Sequence, residues 1–421
     1  MAFIRRTRKS NKPKSQILEV SIPNHFRCPI SLDLMKDPVT VSTGITYDRQ
    51  SIETWFDTGN CTCPVTNQEL AAADAIPNHA LRRLIQDWCV KNRSNGVERI
   101  PTPKIPISPL QATEILSEVS SSRNHVKVRE MVAKIGRLAK ESERNRRCFV
   151  SAGAARVLAA EFARCSSFNG VQEEILSIIS CFSPLDQEAC RYFGSRGSLK
   201  AIAFILKNGY PAVRLNAVSL LREILSTSKD IVRVANESDE LIGSLIELIR
   251  KPISPRATKT SLAASFILIS SNEKTAIKFA ESGFVHQVLE ILVDSDKGMC
   301  EKALAVIDAI CGTEIGREEA YGHALTVPVL VKKMFRVSDL ATEFVVSALW
   351  KLCKDIRGEE RGVLAEAIQV GAFQKVLLLL QVGCSGGVKV KATELLKLMN
   401  GSKEKFDCVD AVDFRGLKRS L

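Results

Sequence analysis

Three cysteines near the start of the chain, Cys28, Cys61 and Cys63, have the clearest potential for chemistry. Thiolates bind zinc, but a closed zinc site needs four thiolate or imidazole ligands, usually in Cys-x-x-Cys or Cys-x-x-His pairs. After Cys28 the second position of such a pair is Ser31, and no cysteine or histidine occurs between positions 47 and 60. The pattern therefore predicts neither a metal site nor another cofactor.

A nucleophilic cysteine is the second possibility for these residues. It requires a thiol whose pKa is lowered and, in most enzymes, a neighbouring base. Each of the three cysteines lies beside turn residues and has no evident histidine partner. We therefore predict no catalytic nucleophile and no covalent intermediate on this chain.

The segment between these cysteines predicts two short strands and a helix. Turn residues bound the strand-like pieces PVTVS and ITYD, and Asp48 is predicted to cap the helix that follows. In that helix Ile52, Trp55 and Phe56 are spaced to lie on one face. A module this small cannot bury all three side chains, so we expect part of the tryptophan to be exposed.

Two Cys-Pro-apolar loops flank this helix, and they contain Cys28, Pro29 and Ile30 in the first case and Cys63, Pro64 and Val65 in the second. Together the loops are predicted to frame a shallow apolar groove with Trp55 at its centre. A tryptophan in a shallow pocket is typical of a binding hot spot. Ordinary core packing of Trp55 and Ile30 explains the same pattern equally well, so the residues alone leave both interpretations open.

The composition indicates a globular protein with more than one folding unit. The chain has 421 residues, 45% hydrophobic and 25% charged, without an apolar stretch that predicts a transmembrane helix or a signal peptide. Its 13 cysteines lie mostly in apolar helical stretches, which favours a reducing compartment, the cytoplasm or the nucleus. The net charge of +12 is compatible with a membrane periphery, but aromatic residues do not alternate with the basic ones as nucleic-acid binding would require.

From residue 112 onward apolar residues recur with helical spacing, and no sustained alternation predicts a strand. A small turn followed by an apolar helix recurs roughly every 40 to 48 residues, the period of armadillo or HEAT repeats, which gives six to seven units. In four of the turns we expect a glycine to end one helix and begin the next: Gly153, Gly197, Gly283 and Gly371. The alternative is a non-repetitive helical bundle.

Shifts in composition predict the domain boundaries. Residues 97–111 are rich in proline, which indicates an extended linker. The predicted divisions are a basic disordered tail at 1–20, a small module at 21–96, the linker at 97–111, the repeat array at 112–400 and a tail at 401–421. The array contains one tryptophan, Trp350, in an apolar run that predicts a core position. The ladder of tryptophan and asparagine side chains with which armadillo-type nuclear-import receptors hold basic peptides is therefore absent from the sequence.

The module closely resembles the U-box, the zinc-free relative of the RING domain. The segments that carry the resemblance are FRCPISLDLMKDPVTVSTGITYDRQSIETWF, CPVTNQEL and IPNHALRRLIQDW. The array resembles armadillo repeats in its period and pattern. This order of parts is similar to the plant U-box ubiquitin ligases, and most similar to their defence- and stress-responsive branch. The resemblance implies a mostly α chain, with a small α+β RING-like U-box followed by a right-handed α-solenoid of armadillo repeats.

The same resemblance implies a RING-type E3 ubiquitin ligase. Such a protein docks a ubiquitin-conjugating enzyme charged with ubiquitin and promotes transfer to lysines of a protein substrate held on the armadillo groove. In the family the docking surface consists of the first loop, the helix tryptophan and the proline of the second loop, which correspond here to Cys28, Pro29, Ile30, Trp55 and Pro64. Salt bridges and hydrogen bonds take the place of zinc, and the candidates for them are Asp33, Asp37, Arg49, Glu53 and Asn60.

Asn67 departs from the family pattern. Some relatives place an arginine here to clamp the conjugating enzyme against ubiquitin, and an amide cannot supply that charged fork. We therefore expect weaker activity or a greater dependence on the cognate conjugating enzyme. The alternative function is a non-catalytic armadillo scaffold with a degenerate U-box, against which the intact Ile30, Trp55 and Pro64 argue.

Overall fold

A computed structural model describes residues 21–70, 75–98, 100, 106–165, 170–354 and 362–403. The chain divides into two compact units, the first ending at residue 105 and the second beginning at residue 106. The first unit contains the small module and the second contains the repeat array. The predicted basic tail at 1–20 and nearly all of the predicted tail at 401–421 lie outside the described residues.

The module consists of a three-stranded antiparallel sheet and two helices. Strands β1 (Pro38–Thr40), β2 (Thr46–Asp48) and β3 (Ile76–Pro77) lie in the order β2-β1-β3. Helix α1 (Arg49–Asp57) follows β2 directly, and helix α2 (His79–Lys91) follows β3. The two predicted strands and the predicted helix are confirmed, whereas β3 and α2 have no counterpart among the predictions.

Apolar side chains from these elements form one small core. Ile52 of α1 and Ile85 of α2 are buried in it with Val39 and Tyr47 of the sheet. Trp55 and Phe56 pack half-buried against the same core. The helix face predicted from the spacing is therefore confirmed, and so is the partial exposure of the tryptophan.

Asp48 occupies the N-cap position of α1, as predicted, but its side chain does not cap the helix. Its side chain makes no hydrogen bond to the helix, and Oδ1 instead accepts the backbone N–H groups of Lys36 (2.7 Å) and Asp37 (2.8 Å). The pairing of β1 with β2 explains the difference, since it places Pro38 opposite Asp48 and brings the preceding backbone donors within reach. The carboxylate therefore fixes the entry to β1.

The second unit is a row of helical repeats. An initial pair of helices is followed by six groups of three among the described residues, and the third helices of successive groups pack against one another. The repeat array predicted from the period is confirmed. The helices are α3 (Pro109–Ser121), α4 (His125–Glu141), α5 (Glu143–Ser151), α6 (Ala154–Arg164), α7 (Val171–Ile178), α8 (Gln187–Phe193), α9 (Arg196–Asn208), α10 (Pro211–Thr227), α11 (Lys229–Asn236), α12 (Asp239–Arg250), α13 (Pro255–Ser271), α14 (Glu273–Glu281), α15 (Phe284–Asp294), α16 (Lys297–Ile310), α17 (Glu314–Tyr321), α18 (Thr326–Lys333), α19 (Asp339–Lys354), α20 (Gly362–Gln369), α21 (Ala372–Val382) and α22 (Gly386–Lys403).

Glycine ends and starts helices at three of the four predicted turns. Gly153, Gly283 and Gly371 have φ values of 78°, 73° and 84°, in the left-handed region that glycine adopts without steric cost, and each directly precedes a helix. Gly197 is the exception, because it lies in the first turn of α9, which Ser195 caps. The prediction for Gly197 is therefore wrong.

Both ends of the proline-rich stretch contact the unit that they adjoin. Ile100 is buried in the core of the module, and its carbonyl accepts a hydrogen bond from Gln86 Nε2 (3.3 Å). On the other side the N–H of Ile107 donates to Asn145 Oδ1 (2.9 Å), and Ser108 caps α3. Residues 101–105, between these anchors, lie outside the described residues.

The prediction that Trp350 is a core residue is wrong. Its indole is half-exposed, and Nε1–H donates to Glu394 Oε2 of α22 at 2.7 Å. The buried residues of α19 near it are those at 345–349, 352 and 353, so position 350 falls just outside a very broad buried face. An apolar run of this width does not indicate which of its positions are only partly buried, as Phe344 and Trp350 are. A single partly exposed tryptophan in the array still provides no ladder of tryptophan side chains.

No single helix in the described ranges is long and apolar enough to cross a membrane. One bent pair, α20 with α21, meets that criterion by length and composition. Both helices contribute buried side chains to the array core, among them Ala367 and Val376.

Candidate functional site

Two short loops of the module have the same hydrogen-bond pattern. In the first loop the N–H of Cys28 donates to the carbonyl of Asp33 at 2.9 Å. In the second loop the N–H of Cys63 donates to the carbonyl of Gln68 at 2.7 Å. An isolated antiparallel bridge closes each loop just outside these pairs. The two Cys-Pro segments therefore adopt the same closed form.

Each loop turns at a residue with left-handed backbone, Leu32 (φ 61°) in the first and Asn67 (φ 58°) in the second. Their N–H groups donate to the carbonyls of Cys28 and Cys63 at 2.9 and 2.8 Å. Asparagine tolerates this region, whereas leucine rarely occupies it. Such backbone strain persists where the surroundings enforce it, often at functional sites. The side chain of Leu32 is 64% exposed, so the strained turn presents an apolar group to solvent.

Trp55 joins helix α1 to the second loop. Its indole Nε1–H donates to the carbonyl of Thr62 at 2.7 Å, and the ring packs half-buried against the core. Asn60 holds the end of the same helix, since Nδ2 donates to the carbonyl of Trp55 (3.2 Å) and to Thr58 Oγ1 (2.8 Å). These bonds fix the orientation of the tryptophan while part of its ring remains accessible.

The loops supply further accessible apolar side chains. Pro29 is exposed, Ile30 and Pro64 are half-buried, and Val65 is 53% exposed. We refer to six residues together as the loop patch: Pro29, Ile30, Leu32, Trp55, Pro64 and Val65. Cys28, which the family resemblance places on the docking surface, has a buried side chain, so it shapes the first loop from inside the module.

The buried sulfurs accept hydrogen bonds from protein donors. The N–H of Asp48 donates to Cys28 Sγ at 3.3 Å and so links the start of α1 to the first loop. Cys63 Sγ lies 3.0 Å from Tyr47 Oη and accepts the hydroxyl of Thr43 at 3.4 Å. The described part of the chain contains no group of three or more His, Cys, Asp or Glu residues that could hold a metal ion. These hydrogen bonds to sulfur connect the first loop to the start of α1 and the second loop to the sheet.

The surroundings of Cys63 favour its thiolate. Burial raises the pKa of Cys63, but hydrogen bonds from Thr43, Thr66 and Tyr47 outweigh burial and lower the pKa to about 6. Burial, followed by the hydrogen bond to Cys63, raises the pKa of the Tyr47 hydroxyl. For Cys28 burial is again outweighed, because backbone N–H groups lower its pKa overall. In both loops, hydrogen bonds therefore favour the anionic form of the buried sulfur more than burial disfavours it.

A thiolate at Cys63 makes the stability of the module depend on pH. The folded-state pKa is lowered to about 6, whereas an unfolded cysteine titrates near ~8.5. The unfolded chain therefore binds more protons between these values, and we expect the free energy of unfolding to rise with pH across this window, by at most about 1.4 kcal/mol per pH unit. The contribution is lost as the pH falls through the folded-state pKa.

Urea unfolding of a Trp350→Phe chain, followed by tryptophan fluorescence, measures this dependence. The chain has 3 tryptophans, and the substitution leaves only Trp55 and Trp88, both in the module. Cys63→Ala should remove the rise with pH, while the exposed Cys61→Ala should retain it. An unchanged pH slope in the Cys63→Ala chain would show that Cys63 is not the group responsible.

Asp37 is the centre of an ionic scaffold. Its Oδ2 accepts Arg49 Nε at 2.7 Å, its Oδ1 accepts the guanidinium of Arg82, and its carbonyl accepts the N–H of Arg49 at 2.9 Å. The side chains of Asp37, Arg49 and Arg82 are only 19%, 16% and 11% exposed. Charge-assisted bonds in such a position are stronger than surface ion pairs. One carboxylate therefore ties both helices of the module to the start of β1.

The remaining scaffold candidates contribute in different ways. Glu53 forms a longer pair with Arg49 at 3.6 Å. Asp33 acts through its backbone carbonyl, and its side chain is exposed. Arg82 is not among the scaffold residues predicted from the sequence, because helix α2, which carries it, is not predicted either. The recurrence of apolar residues at positions 81, 85 and 89 is the signal that could have identified that helix.

The fold and the site together define a U-box protein with an armadillo repeat array. A family model described as the U-box domain matches residues 22–94, and one described as the plant U-box protein ARM repeat region matches residues 111–418. The chain belongs to the plant U-box proteins with an ARM repeat region.

Individual relatives agree with this assignment. The chain is 42% identical to U-box domain-containing protein 21 of Arabidopsis thaliana over 100% of both chains. It is 35% identical to E3 ubiquitin-protein ligase PUB23 of the same plant, over 90% of this chain and 93% of the relative. The crystal structure of an engineered protein superimposes on 69% of this chain and 68% of its own length with a TM-score of 0.53 and 16% identity, which supports the fold alone. The resemblance to plant U-box ubiquitin ligases is thus confirmed.

Proposed function

We propose that this chain, an E3 ubiquitin ligase by its family, docks a ubiquitin-charged conjugating enzyme on the loop patch. The observation that carries the proposal is the arrangement around Trp55. The ring is accessible, yet its N–H is fixed to the second loop by the 2.7 Å bond to Thr62, and the first loop presents Leu32 at 64% exposure. A rigid, partly exposed tryptophan next to apolar loop residues has the composition of a binding hot spot.

The ligase accelerates the reaction by positioning the thioester for attack. The amine of a substrate lysine attacks the thioester carbon of the charged enzyme, a C–N bond forms, the C–S bond breaks, and the thiol of the conjugating enzyme is released with the proton. Holding the thioester in a reactive conformation lowers the entropic part of the barrier. Cys28 and Cys63 are buried and engaged by internal donors, which supports a mechanism without a covalent intermediate on this chain.

The armadillo array selects the protein substrate in this proposal. Asn67, at the position of the clamp arginine, is exposed at the turn of the second loop beside Pro64. From there its amide reaches the conjugating enzyme or ubiquitin as a neutral hydrogen-bonding group, without the charged fork.

We place the protein in the cytoplasm, with the nucleus and the membrane periphery as further locations, and in defence or stress signalling. The resemblance to that branch of the family supports the signalling role.

A reconstituted reaction with activating enzyme, ubiquitin and a panel of conjugating enzymes tests the proposal. We expect the purified chain to form ubiquitin chains on itself with at least one of these enzymes. In the same assay Asn67→Arg should accelerate chain formation, because it supplies the charged fork, although left-handed backbone costs a non-glycine residue roughly 1 to 2 kcal/mol. The absence of transfer with every conjugating enzyme would favour the scaffold alternative, in which the array alone is functional.

A further inference from the structure

The third helices of the last four repeats, α13, α16, α19 and α22, pack side by side. One face of α19 carries Phe344, Ser347, Lys351 and Lys354, whose spacing of three or four residues aligns them along the helix. Each neighbour of α19 contacts side chains of this face or of the adjacent Trp350. This face, which we call the α19 face, therefore lies at the centre of the four packed helices. Along it Phe344 and Lys351 are half-buried, Ser347 is buried and Lys354 is exposed.

An aromatic cavity lies at one end of the α19 face. Its volume is about 510 Å³, and Phe344 and Phe266 line it in an edge-to-face arrangement with ring centroids 6.0 Å apart. Lys351 at its rim donates to Oδ1 of Asp308 (2.7 Å) and to the carbonyl of that residue (2.6 Å), so its charge is compensated. Both rings are half-buried and form the apolar part of a lining that also includes Ser270, Glu273, Asp308 and Thr313.

Two lysines lie close to the ring of Trp350, which is adjacent to the α19 face. Lys354 Nζ is 4.5 Å from the ring centroid of Trp350, and Lys391 Nζ is 5.7 Å from it. The N–H edge of the indole is engaged by Glu394. Lys391 also donates to the hydroxyl of Ser347 at 2.7 Å, a neutral group that leaves the ammonium charge in place. The aromatic ring is therefore already occupied by cations that belong to the protein itself.

This occupancy determines which peptide the face can accept. A lysine or arginine of a ligand would have to displace Lys354 from the ring and would gain no interaction that the protein has not already made. A carboxylate, in contrast, can approach two ammonium groups that lie close to one ring. Basic residues outnumber acidic ones on α13 and α22, whereas α16 and α19 carry equal numbers of each, so the field that attracts anions comes from the two outer helices of the four.

We propose that the α19 face binds an acidic segment of the protein substrate, with carboxylates paired to Lys354 and Lys391 and one apolar side chain in the cavity between Phe266 and Phe344. The proposal rests on the role of the array in substrate selection stated above and adds the chemical class of the bound segment. Since the pairs are ionic and partly exposed, binding weakens as the salt concentration rises.

Fluorescence anisotropy of labelled peptides titrated with the full chain tests this proposal. The acidic probe is a short peptide of glutamate and aspartate residues around one phenylalanine. A second probe replaces the acidic residues with lysine, and a third replaces the phenylalanine with serine. We expect the acidic probe to bind at least about tenfold more tightly than either of the others, a difference that anisotropy resolves readily.

Charge reversal at the two lysines provides the second arm. The double variant Lys354→Glu with Lys391→Glu should bind the acidic probe at least about tenfold more weakly. Lys332→Glu, at an exposed lysine on α18 of the same repeat, makes a similar charge change away from the face and should bind normally. Failure of the acidic probe to bind, a preference for the lysine probe, or unchanged binding by the double variant would each overturn the proposal.

Self-ubiquitination separates this proposal from the proposed function. The double variant leaves the U-box unchanged, so we expect its self-ubiquitination to equal that of the wild type. A wild-type chain that binds the acidic probe and transfers no ubiquitin would contradict the ligase mechanism and leave the α19 face supported. A chain that transfers ubiquitin but does not bind the acidic probe would support the ligase mechanism and contradict the proposal for the α19 face.

Discussion

Trp55→Ala should lower the rate of self-ubiquitination at least about thirtyfold at subsaturating conjugating enzyme. This factor corresponds to ~2 kcal/mol, the lower bound for a binding hot spot. The substitution removes the apolar ring from the loop patch and also the bond from Nε1 to the carbonyl of Thr62 that fixes the second loop. Initial rates of chain formation, measured over a range of conjugating-enzyme concentrations, give the loss directly.

Two further variants separate docking from folding. Trp350→Ala makes the same truncation in the array, and we expect normal self-ubiquitination from it. Leu32→Asp places a charge on the loop patch at a position that is 64% exposed and has left-handed backbone, where aspartate is well tolerated. This variant should keep the stability of the wild type and lose transfer. Normal transfer by a folded Leu32→Asp chain would exclude the first loop from the docking surface.

Asp37→Ala should destabilise the U-box by about 3 kcal/mol. The substitution leaves the guanidinium groups of Arg49 and Arg82 without their shared carboxylate, and removing one partner of a largely buried ion pair costs far more than losing a surface pair. Because the Asp37 side chain is 19% exposed, water compensates part of the loss, so we expect the lower end of the range for buried pairs. Urea unfolding in the Trp350→Phe background measures the change.

Glu53→Ala is the matched control for this prediction. Glu53 pairs with the same Arg49 at 3.6 Å and is more exposed, so its removal should cost less than about 1 kcal/mol. Equal losses of stability from the two substitutions would mean that the central carboxylate has no special role. The sequence resemblance implies that ion pairs take the place of zinc in this module. Equal losses would therefore also remove the physical basis for that replacement of zinc.

Much of the fold follows from patterns that are local in the sequence. Period and turn chemistry predict the array, because each repeat buries one apolar face against its neighbour and therefore repeats its spacing. Alternation and turn residues likewise predict β1 and β2. Helix α2 has a local signal as well, the apolar residues at 81, 85 and 89, whereas strand β3 has only two residues and is defined by its pairing with β1. Trp350 shows a limit of local patterns, since its indole donates to Glu394 of the neighbouring repeat, whereas Gly197 lies in the first turn of α9 after the local cap Ser195.

The residues of the site also divide into those that local sequence identifies and those whose partners lie on other elements. Trp55, Ile30 and the two prolines are identifiable from their residue types and their positions in turns. Arg82 and Asp48 are not, because their partners lie on other elements and the bonds arise from the pairing of β1 with β2 and the packing of α2. Leu32 is hidden for another reason. Its left-handed backbone is imposed by the loop hydrogen bonds, and nothing in the residue type of leucine predicts it.

The most direct test of the central claim is single-turnover discharge of a purified conjugating-enzyme–ubiquitin thioester onto free lysine. This reaction needs neither a substrate on the array nor a lysine of the ligase, so it isolates the contribution of the loop patch. We expect the wild-type chain to accelerate loss of the thioester, and Trp55→Ala and Leu32→Asp to leave it at the uncatalysed rate. Discharge by either folded variant as fast as by the wild type would contradict the account.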